Sequence, residues 1–146
     1  MNVSKAKGTR AESLVVAAAL EAGLPARRVA LAGNQDQGDV HVGHPTRVVI
    51  EVKAGNAAAT ASHNQVVAWF AEAETEAGRV ASADMAVLVV KRKGKGKARD
   101  WRAFTTLADY AHVMGRGEPY PMWATDRMVE MPLGWLLDDL ARARLR

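Results

Sequence analysis

The stretch QGDVHVGHPTRVVIEVKAG (residues 37–55) reads as two short apolar strands joined by a turn, yet charges interrupt both. They are Asp39 at the start of the first strand and Glu51 and Lys53 near the end of the second. Side chains alternate faces along a strand, so Glu51 and Lys53 share one face while Ile50 and Val52 share the other. A loop over residues 43–47 would pair Val42 with Val48 and, counting back, set Asp39 opposite Glu51. Directly opposed residues on one face have Cβ atoms about 5 Å apart, and like charges there are destabilising. A divalent cation removes the conflict, because a hard ion binds carboxylate oxygens and neutralises their repulsion. Mg²⁺ is the ion expected. Lys53 could then reach a phosphate or the attacking water and stabilise charge developing in the transition state. The competing explanation is a solvated strand edge, with Lys53 paired to a neighbour; these three residues alone do not separate the two.

Around the hairpin the chain alternates helical and strand patterns. Residues 1–7 read as a short basic arm. GTRAESLVVAAALEAG follows as a helix, with Thr9 and Glu12 in capping-box spacing and Gly23 as its stop. A first strand is expected over residues 28–32, then a loop, GNQDQG, then the hairpin strands at 39–42 and 48–53. A second helix is expected at 63–77, where Val66, Val67, Phe70 and Ala73 recur at helical spacing. ADMAVLVVKR is a continuous apolar run of strand length, expected to be buried on both faces. A glycine-lysine turn leads to another strand around DWRAFTT, a helix over about 107–114 and a loop with Pro119 and Pro121. The tail PLGWLLDDLARARLR is amphipathic, with Trp135, Leu136, Leu137 and Leu140 read as its apolar face. That face either packs on its own domain or forms a dimer contact.

The order α-β-β-β-α-β-β-α-α predicts an α/β fold: one domain whose central mixed sheet is flanked by helices, with a core at about 5–106 and a C-terminal helical extension at about 107–146.

Composition narrows the chemistry. The chain of 146 residues has no cysteine, which removes disulfides and thiolate zinc sites, and its four histidines (His41, His44, His63, His112) lack zinc-like spacing. No apolar run approaches the ~20 residues of a membrane span, and no signal-peptide core opens the chain, so the cytoplasm is the expected compartment. The net charge of +4 is unevenly placed: KRKGKGKARDWR (residues 91–102) has seven basic residues against one acid. Such a run either suits a polyanion partner or is a solvated hairpin tip.

Glu12 has two readings as well. Its spacing from Thr9 makes it a capping residue, whereas the stripe it heads with Val16, Ala19 and Leu20 should face the sheet and aim its carboxylate toward the hairpin. A helix carboxylate there could hold a metal-bound water or a second ion.

An acid in the first helix (Glu12), GD at 38–39 and EVK at 51–53 together resemble the PD-(D/E)xK nuclease superfamily, with a restriction-endonuclease-like αβββαβ core. Within it the chain is most similar to archaeal-type Holliday-junction resolvases and their phage relatives, through KGTRAE (residues 7–12), IEVKAG (50–55), Gln65 early in the next helix and DWRAF (100–104). The match in motif order spans about residues 5–104. It departs from the family in the loop AGNQDQG, which has glycine but lacks the usual serine.

The resemblance implies a Mg²⁺-dependent endonuclease (Mn²⁺ as a substitute) in which Asp39, Glu51 and the Val52 carbonyl are metal ligands, Lys53 orients the nucleophile, and Glu12 completes the site. Gln65 would be auxiliary, steadying water or Lys53; an ordinary exposed amide is the plainer reading. His41 shares the Asp39 face, where a lone histidine is most often structural. Lys5, Lys7, Arg10, Lys91, Arg92, Lys93, Lys95 and Lys97 would contact DNA phosphates, which position a duplex without reading its sequence. A four-way or other branched DNA is the implied substrate, cut by a homodimer in the host cytoplasm if the chain is phage-encoded. Alternatives are a restriction-like or repair nuclease acting on flap or duplex DNA, and a DNA-binding module without turnover.

Overall fold

The computed structural model describes residues 3–30, 35–115 and 122–145. Helix α1 (Val3–Glu21) is followed by strands β1 (Ala26–Arg28), β2 (Val40–Val42) and β3 (Val48–Lys53). Next come the one-turn α2 (Asn56–Ala59), α3 (His63–Ala77), β4 (Met85–Val90), a 3₁₀ turn (Ala98–Asp100) and β5 (Arg102–Thr106). The chain closes with α4 (Leu107–Val113), α5 (Met122–Asp126), β6 (Met128–Pro132) and α6 (Leu133–Ala143). The strands form one mixed sheet in chain order, β1 to β6. Neighbours are antiparallel except β3 and β4, which run parallel. A parallel pair needs a long crossover, and α2 with α3 supplies it.

The alternation of β3 and β4 sorts the core into two layers. Ile50, Val52, Val87 and Val89 pack with Ala11, Val15 and Ala18 of α1 and with Leu133, Leu136, Leu137 and Leu140 of α6. On the opposite face Leu88, Val90 and Phe104 meet Val66 and Phe70 of α3. With both faces covered, β4 is buried along its whole length, as its unbroken apolar run predicts. Glu51 and Lys53 project to the α3 face, beside their register partners Leu88 and Val90. That placement gives Glu51 its burial. Among the described residues no helix is long and apolar enough to cross a membrane.

Several expectations need correction. The helix does not start at a Thr9 cap: α1 begins at Val3 and runs through, and Ser13 Oγ instead donates to the Thr9 carbonyl (3.0 Å). From Val3 on the basic arm is therefore helical, although the side chains of Lys5 and Lys7 lie outside the described residues. Gly23 does stop the helix, at φ +88°, with its N–H on the Leu20 carbonyl. The first strand is Ala26–Arg28, two residues earlier than expected, because its partner β2 spans only Val40–Val42. Part of the expected strand, residues 31–32, lies outside the described residues, as does the loop with Pro119 and Pro121.

The C-terminal extension is not wholly helical. It contributes β6, an edge strand paired with β5, where a terminal proline is tolerated. Trp135 does not join the apolar face of α6: the stripe is Leu133, Leu136, Leu137 and Leu140, all buried, while Trp135 is 67% exposed.

Candidate active site

The loop before β2 aims Asp39. Gly38 sits at φ +86°, and its N–H is taken by Asp36 Oδ1 (2.9 Å). The hairpin register is Val42↔Val48 and Val40↔Ile50, the pairing that loop length predicts. One residue beyond this ladder, the Asp39 N–H donates to the Ile50 carbonyl (3.0 Å). Its Oδ2 accepts the Val52 N–H (2.8 Å), standing in for a ladder partner that β2 no longer provides. Strand alternation turns the Val52 carbonyl to that same edge.

His41 braces the loop as a structural residue. It is buried, with Nε2 donating to the Gln37 carbonyl (2.7 Å) and Nδ1 facing the Thr46 hydroxyl (3.3 Å). Burial lowers its pKa, in keeping with a neutral ring.

Gly38 tolerates no side chain. A Cβ there would stand 2.5 Å from Val49 Cγ1 in a backbone region that L-residues avoid. Gly38→Ala is expected to cost about 2–3 kcal/mol in urea unfolding.

Across from Asp39 the Glu51 carboxyl is 7% exposed at residue level. Two acids lie near it, Asp39 and Glu76, the second from the last turn of α3. Burial first, then the Glu51 charge, pushes the Asp39 pKa up to about 8, against the opposing Val52 N–H. Burial and the contact with Glu76 likewise push Glu51 up to about 8, against Lys53. Glu76 is raised too, chiefly by burial. When these groups are ionised, Glu51 Oε2 and Glu76 Oε2 are buried with no donor. A shared proton or a cation would satisfy them.

Lys53 Nζ lies 3.3 Å from Glu51 Oε1 and 3.3 Å from Glu72 Oε2, and 5.7 Å from the centre of the Trp69 ring. Burial pulls its pKa down, but Glu51 and Glu72 outweigh that and leave it above the ordinary lysine value. Lys53 is therefore an ammonium at neutral pH, suited to holding negative charge rather than to taking a proton.

So the structure brings Asp39, Glu51 and Lys53 together. No family model, curated protein or solved structure matches the chain.

The remaining site candidates fall in different places. Glu12 approaches closely enough for its charge to raise Asp39, but its Oε2 is held by Arg28 Nε (3.0 Å), so it borders the pair. Gln65 is exposed, and its described contact is the backbone N–H on the Ser62 cap (3.1 Å). Glu72 and Glu76 are hard to single out in the sequence because AEAETEA has the pattern of a solvated acidic helix. The signal lay in helical phase: Trp69, Glu72 and Glu76 flank the buried stripe of Val66, Phe70, Ala73 and Ala77.

Next to Lys53 begins a cleft of about 570 Å³ at the carboxyl ends of parallel β3 and β4, lined by Arg10, Asn56, Thr60, Lys91, Arg92 and Lys93. Ends of parallel strands are the usual ligand crevices of α/β sheets. Arg10, Arg92 and Lys93 are exposed there, as are Lys95 and Lys97 on the same turn. Lys91 is half-buried over the Trp101 ring at 5.5 Å.

Among the described residues no three His, Asp or Glu side chains form a metal cage. Magnesium does not require one: it dehydrates reluctantly and binds through one or two carboxylates plus substrate oxygens. Two hard carboxylates, one of them with a buried oxygen that lacks a partner, and a carbonyl at the same edge fit that ion.

Proposed function

We propose that this chain is a metal-dependent DNA endonuclease of the PD-(D/E)xK type, acting on branched DNA in the manner of Holliday-junction resolvases. The observation that carries the reading is the meeting of Asp39 and Glu51 at the end of β3, with Lys53 alongside and a basic cleft starting at the next residue. Asp39, Glu51 and the Val52 carbonyl would hold Mg²⁺, which when bound supplies Lewis acidity toward water and phosphate. The Lys53 ammonium donates to a phosphate oxygen as charge builds on it during displacement of the 3′ oxygen. Arg10, Lys91, Arg92 and Lys93 neutralise backbone phosphates and fix where the strand lies. These contacts recognise shape and charge rather than bases, which suits a junction. Two symmetric cuts across a four-way junction call for a two-fold dimer.

The test is a gel assay with a labelled four-way junction, a flap and a plain duplex, each with and without Mg²⁺. Paired nicks in the junction, dependent on Mg²⁺ and faster than cuts in the other two, are expected. Preferential flap or duplex cutting would reassign the substrate. Salt-sensitive binding without product under any condition would leave only a DNA-binding module.

A further inference from the structure

We infer that Trp69 and Glu72 of α3 are the positioning residues of the Lys53 ammonium, one of the two parts, with steadying water, that the nuclease resemblance offers Gln65. The catalytic consequence rests on the nuclease reading above; the placement rests on geometry alone. Lys53 ends β3, and beyond it the chain opens into the basic cleft. A lysine stem has four rotatable carbons, so an ammonium left to itself would spread over many rotamers. Three groups confine it: Glu51 Oε1 at 3.3 Å, Glu72 Oε2 at 3.3 Å and the Trp69 ring at 5.7 Å.

If Glu51 holds the cation of the proposed function, it would not be a constant partner for Lys53, and the two α3 groups would remain. The Trp69 ring is packed against the apolar layer of Val66, Phe70 and Leu88, which makes it a fixed wall. Glu72 is 55% exposed, so it holds the ammonium without the desolvation cost of a buried pair. Both lie on the helix stripe that continues to Glu76, one to two turns past Gln65. Gln65 makes no side-chain hydrogen bond to Lys53 among the described residues.

The experiment compares full-length Glu72→Gln, Trp69→Leu and Trp69→Phe with the parent in two ways. The first is single-turnover cleavage of a four-way junction in Mg²⁺, with junction affinity measured alongside. The second is the rate of reductive methylation of the Lys53 amine in metal-free protein, read by peptide mass spectrometry, with Lys91 as internal standard. Glu72→Gln should slow cleavage about fivefold at unchanged DNA affinity and speed Lys53 methylation by a similar factor. Trp69→Leu should do the same, and Trp69→Phe, which keeps an aromatic face, should recover part of the loss. Unchanged Lys53 reactivity in both Glu72→Gln and Trp69→Leu would overturn the inference. A parent protein that binds the junction and never cuts it would overturn the nuclease reading instead, with the methylation rates still deciding the placement.

Discussion

Glu51→Gln is expected to abolish Mg²⁺-dependent cleavage and, in the same protein, to raise the thermal midpoint in metal-free buffer. The two effects have one origin. A carboxylate that is 7% exposed, has an oxygen without a donor and lies near two other acids is a poor choice for folding. Burying such a group at neutral pH means either keeping a charge out of water or taking up a proton that the unfolded chain does not bind. Glutamine matches the protonated acid in shape and brings N–H donors to the Glu76 and Asp39 carboxylates. The gain should be on the order of 2–3 kcal/mol near pH 8, which for a chain of this length is roughly 5–10 °C. Cleavage, by contrast, loses an anionic ligand and the partner that shares Lys53, and should fall by at least ~10³-fold. Calorimetry and the junction assay on one preparation check both halves. A variant that melts lower than the parent and cuts as fast would show that Glu51 is an ordinary structural acid.

That trade also explains why the centre of the site could be read from the sequence while its surroundings could not. Asp39 and Glu51 announce themselves because a two-residue period and a short loop fix their register, and register forces opposition. Lys53 follows from the same period, and β4 and α3 follow from local apolar pattern. Glu72 and Glu76 depend on how α3 is rotated over the sheet. A local pattern gives the buried stripe of a helix but not which strand residues its flanks will meet. Glu12 shows the opposite error. Its capping-box spacing with Thr9 was a sound local signal, yet the residues before Thr9 continue the helix, so no cap is needed and the side chain is free to reach Arg28. β6 is not legible in the sequence because MVEMP has a two-residue alternation too short to distinguish from loop, and it takes its form by pairing with β5 and packing Met128 and Met131 against the core.

Stability without metal should fall as pH rises from about 4 to 8, and Mg²⁺ should make that fall shallower. The sign follows from which state holds more protons. Asp39 and Glu51 have ordinary values of 3.8 and 4.5 and are pushed to about 8 in the fold. Between those limits the folded protein binds protons that the unfolded chain has released, so each step up in pH favours unfolding until the folded groups ionise too. Glu76, Glu74 and Asp109, also raised by burial, act in the same direction; His41, lowered by burial, acts in the opposite one, and Asp138, lowered by its bond to Arg99, acts only below its ordinary value of 3.8. A cation competes with these protons for the same oxygens. Mg²⁺ should therefore shift the melting temperature little at pH 5 and strongly at pH 8, by about 2.7 kcal/mol at a hundredfold excess over its dissociation constant. Thermal melts across pH 5–8, with and without Mg²⁺, measure the effect without any DNA present. Glu51→Gln should flatten both the metal-free slope and the Mg²⁺ response, since one substitution removes a proton site and a ligand together. A Mg²⁺ shift that is equal at pH 5 and pH 8, or that survives in Glu51→Gln, would mean the ion binds elsewhere and that these carboxylates are held apart from it.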